Sequence, residues 1–407
     1  MGFIGHNINK SKKHFACGLG VVMVSVIILT ACTQVFNQNA NATPDRPLDA
    51  SNPIDPLSET AVISLTLQAP TLVPTISPTI TSSPTVFFTA TPTEPPPFLP
   101  SFPYKFSNPD VKPENYVSET CNYLEQRWGT EKSQPGTVVV PIMYHSVRNA
   151  GKPLIDNTSV SEEYFLETLD HAKALGFETI TTEQLVGFLF HNDPIPPRSM
   201  ILIIDDRRLG VVRDHFMPVL EKYDWTVTMA YITGVPPESE WQELEELYAS
   251  GWLDIQAHGF LHNGSTYFTE WTEPEVIKQE IDNPVRVIQA HFGKKPLAFI
   301  WPGGNFTSPA IAQAHESGYK IGFTAYSRGA LMYNWIPLGA EERKMDDPLM
   351  VLPRYWSTAA FINLDEAVQI SKQAISFAAD NQASEYEYYQ KYCQGTLPRL
   401  TPVPEGN

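Results

Sequence analysis

The sequence predicts an α/β fold, an irregular (β/α) barrel of roughly seven or eight strands that forms a single domain behind a disordered linker. Three observations carry this expectation. Short β-rich runs alternate with helical patterns along one continuous stretch, which implies parallel βα units. Runs such as M-I-L-I-I and T-V-V-V-P-I-M are apolar almost without interruption, as strands covered on both faces must be. Four of the helical patterns are closed by glycine, at Gly176, Gly251, Gly293 and Gly318, where a chain leaving a helix turns through left-handed backbone.

In chain order, the strands are expected at Val138 to Met143, Phe177 to Ile180, Met200 to Ile204, Thr226 to Ile232, Leu253 to Gln256, Leu297 to Trp301, Lys320 to Ala325 and Met350 to Leu352. Each is a short apolar or β-branched run between turn signals. The helices are expected at Ser161 to Leu175, Thr182 to Phe190, Val212 to Tyr223, Glu238 to Ser250, Glu275 to Phe292 and Pro309 to Ser317, where apolar residues recur with the helical period. The cluster E-Y-E-Y-Y at Glu385 to Tyr389 reads as a solvated helix face.

The chain has 407 residues, and its proline is unevenly placed, so the domain is expected over 108–398. Residues 1–31 read as a secretory signal: Lys10, Lys12 and Lys13 precede an apolar run from Ala16 to Ala31 that is shorter than a spanning helix requires. The run ends Leu29-Thr30-Ala31-Cys32, which resembles the lipobox of bacterial lipoproteins, and that resemblance makes Cys32 the acylated N-terminus of an extracytoplasmic, membrane-anchored protein. Residues 32–107 are rich in Pro, Thr and Ser and cannot bury enough apolar surface to offset their ordering entropy, and residues 399–407 repeat that character. Cys121 and Cys393 remain near the two ends of the domain; in an oxidising compartment a disulfide between them is expected, two buried thiols being the alternative. A net charge of -17 argues against nucleic acid and anionic lipid headgroups as partners.

Functional groups of a barrel gather where its strands end, and polar residues follow strand after strand here. Asp205 and Asp206 follow M-I-L-I-I, His258 follows L-D-I-Q-A with His262 four residues on, and His145 follows V-V-V-P-I-M-Y. Trp301-Pro302-Gly303-Gly304 follow L-A-F-I, and Arg354 follows M-V-L-P. One carboxylate and two imidazoles make a three-ligand set with a position left for water, the pattern of a hydrolytic zinc site. The other carboxylate of the Asp pair is then placed to take that water's proton. Arg354 either orients this base or belongs to a peripheral ion pair, and Trp301 either offers its ring face to a ligand or lies in the core. No H-E-x-x-H occurs, which removes the commonest metalloprotease pattern.

The ordered set P-I-M-Y-H-S-V, I-L-I-I-D-D, H-G-F-L-H, and W-P-G-G-N-F before a helix ending E-S-G-Y-K-I-G-F-T resembles the polysaccharide deacetylase family, the NodB homology domain of carbohydrate esterase family 4. The Y-H-S opening followed by E-E-Y-F-L-E-T-L-D-H-A-K-A-L-G-F is similar to the branch acting on poly-N-acetylglucosamine. The resemblance implies Asp205 as general base, Asp206, His258 and His262 as ligands of a divalent metal, most simply zinc, and His145 as general acid. It implies Trp301 to Gly304 as substrate-binding residues. Two departures stand out: Arg207 replaces the family's glycine after the Asp pair, and Gly259 replaces the usual Ser or Thr after the first histidine. The implied activity is hydrolysis of N-acetyl groups on a hexosamine-containing polysaccharide or cell-wall glycan, at a carbon-nitrogen bond that is not a peptide bond. A carbohydrate-binding lipoprotein without catalysis and an O-acetyl polysaccharide esterase are the alternatives.

Overall fold

The computed structural model describes residues 96–262 and 267–397. The expected signal, Cys32, nearly all of the linker and the tail from 399 lie outside the described residues. Among the described residues, no helix is long and apolar enough to cross a membrane.

Eight parallel strands form the centre: β1 (Val138–Tyr144), β2 (Glu178–Thr179), β3 (Arg198–Asp205), β4 (Val227–Tyr231), β5 (Leu253–Ala257), β6 (Ala298–Ile300), β7 (Ile321–Phe323) and β8 (Tyr355–Trp356). They lie in the order β7-β6-β5-β4-β3-β1-β8, with the short β2 pairing β3. The row curls on itself, because the segment leading into β8 meets both of its ends. Leu352 bridges Phe323 of β7, and Tyr355 and Trp356 pair with Ile142 and Met143 of β1. Every residue of β1, β4, β5, β6 and β7 is buried, which is why these runs carry almost no polar alternation.

Around the strands lie α1 (Thr120–Trp128), α2 (Glu162–Ala174), α3 (Thr182–His191), α4 (Met217–Tyr223), α5 (Glu238–Tyr248), α6 (Pro274–Phe292), α7 (Ser308–Ser317) and α8 (Ala360–Tyr392). Local chemistry sets their starts. Ser161 accepts from the Tyr164 amide, Thr307 from the Ala310 amide, and Thr181 forms a reciprocal capping box with Gln184. The expected helix from Val212 begins instead with a π-helical turn over Val212–Phe216, and the α-helix runs from Met217 with Pro218 in its first turn.

Three expectations are corrected by packing. The strand expected at Met350 to Leu352 is a 3-10 turn, Pro348–Met350, and a single bridge; Pro353 cannot donate a ladder hydrogen bond, and pairing resumes at Tyr355. The cluster at Glu385 to Tyr389 is largely buried, and only Glu387 is exposed. Glu385 is 1% exposed, accepting from Arg127 Nε at 3.0 Å and Trp128 Nε1 at 2.6 Å, and Tyr388 and Tyr389 are buried with Leu124 and Leu397. Cys121 and Cys393 form the expected disulfide, with their Cα atoms 5.6 Å apart. Packed residues also begin before position 108: Phe106 is buried, and Phe102 lies against Trp335 and Phe377 while its carbonyl accepts from Trp335 Nε1.

Candidate active site

The C-terminal ends of β1, β3, β5 and β7, with the entry to β8, converge on one carboxylate. Asp205 closes β3 and is 2% exposed. Its Oδ1 accepts from Arg354 Nη1 at 2.6 Å, while its Oδ2 lies 3.7 Å from His145 Nε2 and 4.0 Å from His258 Nε2. Arg354 is itself 1% exposed and donates through Nε to the Thr324 carbonyl at 2.7 Å, just beyond β7. Arg354 therefore orients the buried carboxylate and is no peripheral ion pair. Burial alone would push the Asp205 carboxyl upward, but Arg354, His258 and His145 outweigh it and hold it at about 2. The carboxylate stays ionised across the neutral range.

Asp206, the next residue, leaves the strand in left-handed backbone at φ 69°. Its Oδ1 lies 3.8 Å from His258 Nε2. His258 donates through Nδ1 to the Ile300 carbonyl at 2.8 Å, which fixes the tautomer and leaves Nε2 as a lone-pair donor facing the two aspartates. Burial chiefly, with His262 adding, holds this imidazole at about 4 despite the nearby carboxylates, so at neutral pH it is the uncharged form a metal requires. His262 is also left-handed, at φ 44°, and its ring centroid lies 4.5 Å from that of His258.

Asp206, His258 and His262 each offer one donor atom, and the three atoms lie within 4.8 Å of one another. One carboxylate oxygen and two imidazole nitrogens on a common centre fit a divalent ion of the zinc type. Two of these three residues hold left-handed backbone without being glycine, strain that survives only where the surroundings fix it.

The remaining expected site residues divide. His145 is partly exposed and its ring lies parallel to Trp356, 6.4 Å away. Trp301, expected to touch substrate, is fully buried: it donates through Nε1 to the Met350 carbonyl at 2.7 Å and packs edge-on against Phe299 and Phe268. It is core and cannot stack on a sugar. Pro302 and Gly304 are buried as well, and a Cβ on Gly304 would meet the Ala325 nitrogen at 2.6 Å. Of the four, only Gly303 reaches the surface, under the ring of Tyr267. The departure at Arg207 leaves the three donors in place, because its guanidinium donates to the carbonyls of Ile232, at 2.9 Å, and Gly234. Glu280, described below, was not singled out in the sequence; it stands among ordinary helix residues with no motif to mark it.

Residues 192–322 match the family model for polysaccharide deacetylase, a span that includes both aspartates, both histidines of H-G-F-L-H and the W-P-G-G turn. Over this span, about a third of the chain, the sequence is similar to the polysaccharide deacetylase family. The deacetylase match ends short of Arg354 and begins after His145, so those two residues are tied to the domain by the geometry just described. No curated protein sequence matches the chain significantly. Among solved structures, the chain is similar to the deacetylase PplD of Streptococcus pyogenes, at 20% identity over 57% of this chain and 99% of that one, with a TM-score of 0.47. It is similar to IcaB of Ammonifex degensii, at 20% identity over 58% and 99%, TM-score 0.46. A de-N-acetylase of Aggregatibacter actinomycetemcomitans aligns at 17% identity over 56% and 99%, TM-score 0.45.

Proposed function

We propose that this deacetylase hydrolyses the N-acetyl amide of a hexosamine-containing polysaccharide outside the cytoplasm, using a divalent metal and held to a membrane by a lipid at Cys32. The observation that carries the reading is the position of Asp205: an ionised, buried carboxylate beside, but not part of, the Asp206, His258 and His262 donor set. Those three residues would hold the ion, which supplies Lewis acidity toward the amide carbonyl and toward water when bound.

Asp205 takes a proton from the attacking water through Oδ2, the oxygen left free while Arg354 fixes Oδ1. As the new carbon-oxygen bond forms and the carbon-nitrogen bond breaks, His145 delivers a proton to the departing nitrogen. Its Nε2 lies 3.7 Å from Asp205 Oδ2, on the same side of the site. Acetate and a free amine are the products. The same residues would open an acetyl ester, and the preference for an amide rests on the added need of an amine leaving group for a proton, which His145 meets.

Two expected results test these statements. Asp206→Ala, His258→Ala and His262→Ala should each bind well under one equivalent of zinc in elemental analysis of gently purified protein, since losing one of three ligands removes much of the binding energy. Full occupancy in all three variants places the ion elsewhere. Cys32→Ser should move the protein from the membrane to the soluble fraction of its host, and unchanged membrane association rules out the lipid at that position.

A further inference from the structure

The loop from His258 to His262 is gripped from two sides. Its carbonyls at Gly259 and Phe260 accept from the amides of Thr233 and Gly234, and the Thr233 loop is in turn tied to Arg207. Its amides point the other way, toward one residue of α6. Glu280 Oε2 accepts from Phe260 N at 2.8 Å, from Leu261 N at 3.1 Å and from His262 N at 3.2 Å, while Oε1 accepts from Leu261 N at 2.9 Å. Three consecutive backbone amides thus cradle a single carboxylate, the arrangement in which a peptide loop binds an anion. The last of these amides belongs to His262, whose left-handed backbone is unfavourable for a residue with a Cβ and needs an outside contact to persist.

Gly259 completes the device. Its φ of 81° is left-handed, and a Cβ there would stand 2.8 Å from Glu280 Oε2. The absence of a side chain at 259 is what lets the Glu280 carboxylate enter the turn, so the glycine and the glutamate form a matched pair.

We infer that Glu280 is a positioning residue for the metal centre: its carboxylate, seated in the amides of residues 260–262, holds His262 where its imidazole can join Asp206 and His258. This rests on the proposed metal-dependent reading of the site. Glu280 touches neither substrate nor ion; it acts through the loop. Outer partners that orient metal ligands are commonly worth about 10- to 100-fold in metal affinity, and Glu280 is expected within that range. A glutamine is the sharpest replacement, because its NH2 would face the same backbone donors that the carboxylate accepts.

The test uses the full chain and does not depend on turnover. Zinc affinity is measured by competition with a chromophoric chelator, and the visible spectrum of the cobalt-loaded protein is recorded, for wild type, Glu280→Gln, Glu280→Asp and His262→Ala. Glu280→Gln is expected to bind zinc about 10- to 100-fold more weakly and to shift the cobalt spectrum toward that of His262→Ala, with Glu280→Asp in between. Zinc affinity within about twofold of wild type and an unchanged cobalt spectrum overturn the inference, as does a lowered melting temperature with both metal readouts intact. Should Glu280→Gln fail to fold, Glu280→Asp decides by the same criteria. A wild type that binds no metal overturns both this inference and the functional reading, whereas a wild type that binds zinc but releases no acetate overturns the functional reading alone.

Discussion

Asp205→Asn is expected to release acetate about 10²- to 10⁴-fold more slowly than wild type, the usual contribution of a general base, while keeping its zinc. The substitution is nearly isosteric, and the amide oxygen can still accept from Arg354, whose Nη1 sits 2.6 Å from Oδ1. What is lost is the capacity to take a proton. The three-donor cluster does not include Asp205, so occupancy should persist, whereas Asp206→Asn should lose metal and activity together. Elemental analysis and acetate release on the same preparations separate the two roles. Metal loss in Asp205→Asn reverses the assignment of the pair, and undiminished acetate release removes Asp205 as the base.

Arg354→Met is expected to cost about 3–5 kcal/mol of stability, because it leaves a carboxylate buried without its counter-charge. Both partners are nearly inaccessible, Arg354 at 1% and Asp205 at 2%, so solvent can do little to screen the loss. A change in the pH profile follows in a definite direction. In wild type, Arg354 offsets the upward push of burial and holds the Asp205 carboxyl at about 2, below its ordinary 3.8. Such a depressed group adds stability that is complete above 3.8 and is lost as pH falls through the folded value. Without the guanidinium, burial prevails and the carboxyl rises. The ionised base then persists only above that higher value, so the acid limb of the rate should move to higher pH than in wild type. Denaturant unfolding and a pH-rate profile read the two effects, and a profile superimposable on that of wild type shows that Arg354 does not set the ionisation of Asp205.

Much of this arrangement is legible in the sequence because strand order and chemistry are local signals. An uninterrupted apolar run that stops at Asp205-Asp206, and another that stops at His258, announce residues at the rim of a parallel sheet without any knowledge of their partners. Residues whose meaning depends on what packs against them are hidden. The buried side of α8 mixes Leu364, Val368 and Ile370 with the small residues Ala367, Ser371, Ala374 and Ala378, which weaken its apolar pattern and let the helix lie close to the barrel. Ser371 Oγ even reaches the Gly136 carbonyl. Glu385 reads as a surface charge until Arg127 and Trp128, more than 250 positions away, close over it. Trp301 reads equally well as sugar platform or core until Met350 supplies an acceptor for its indole N–H. Glu280 shows nothing in one dimension, since the amides it binds lie 18 to 20 residues earlier and become an anion site only in the left-handed turn at Gly259.

The central claim, that Asp205 and a metal at Asp206, His258 and His262 cleave an N-acetyl amide, is tested most directly by acetate release from an N-acetylglucosamine oligosaccharide. The full chain is assayed as purified, after complete removal of metal by chelator, and after zinc is returned. The expected result is release that stops on chelation, resumes with zinc, and remains low in Asp205→Asn under every condition. Acetate release that continues undiminished in fully metal-free protein would contradict the account.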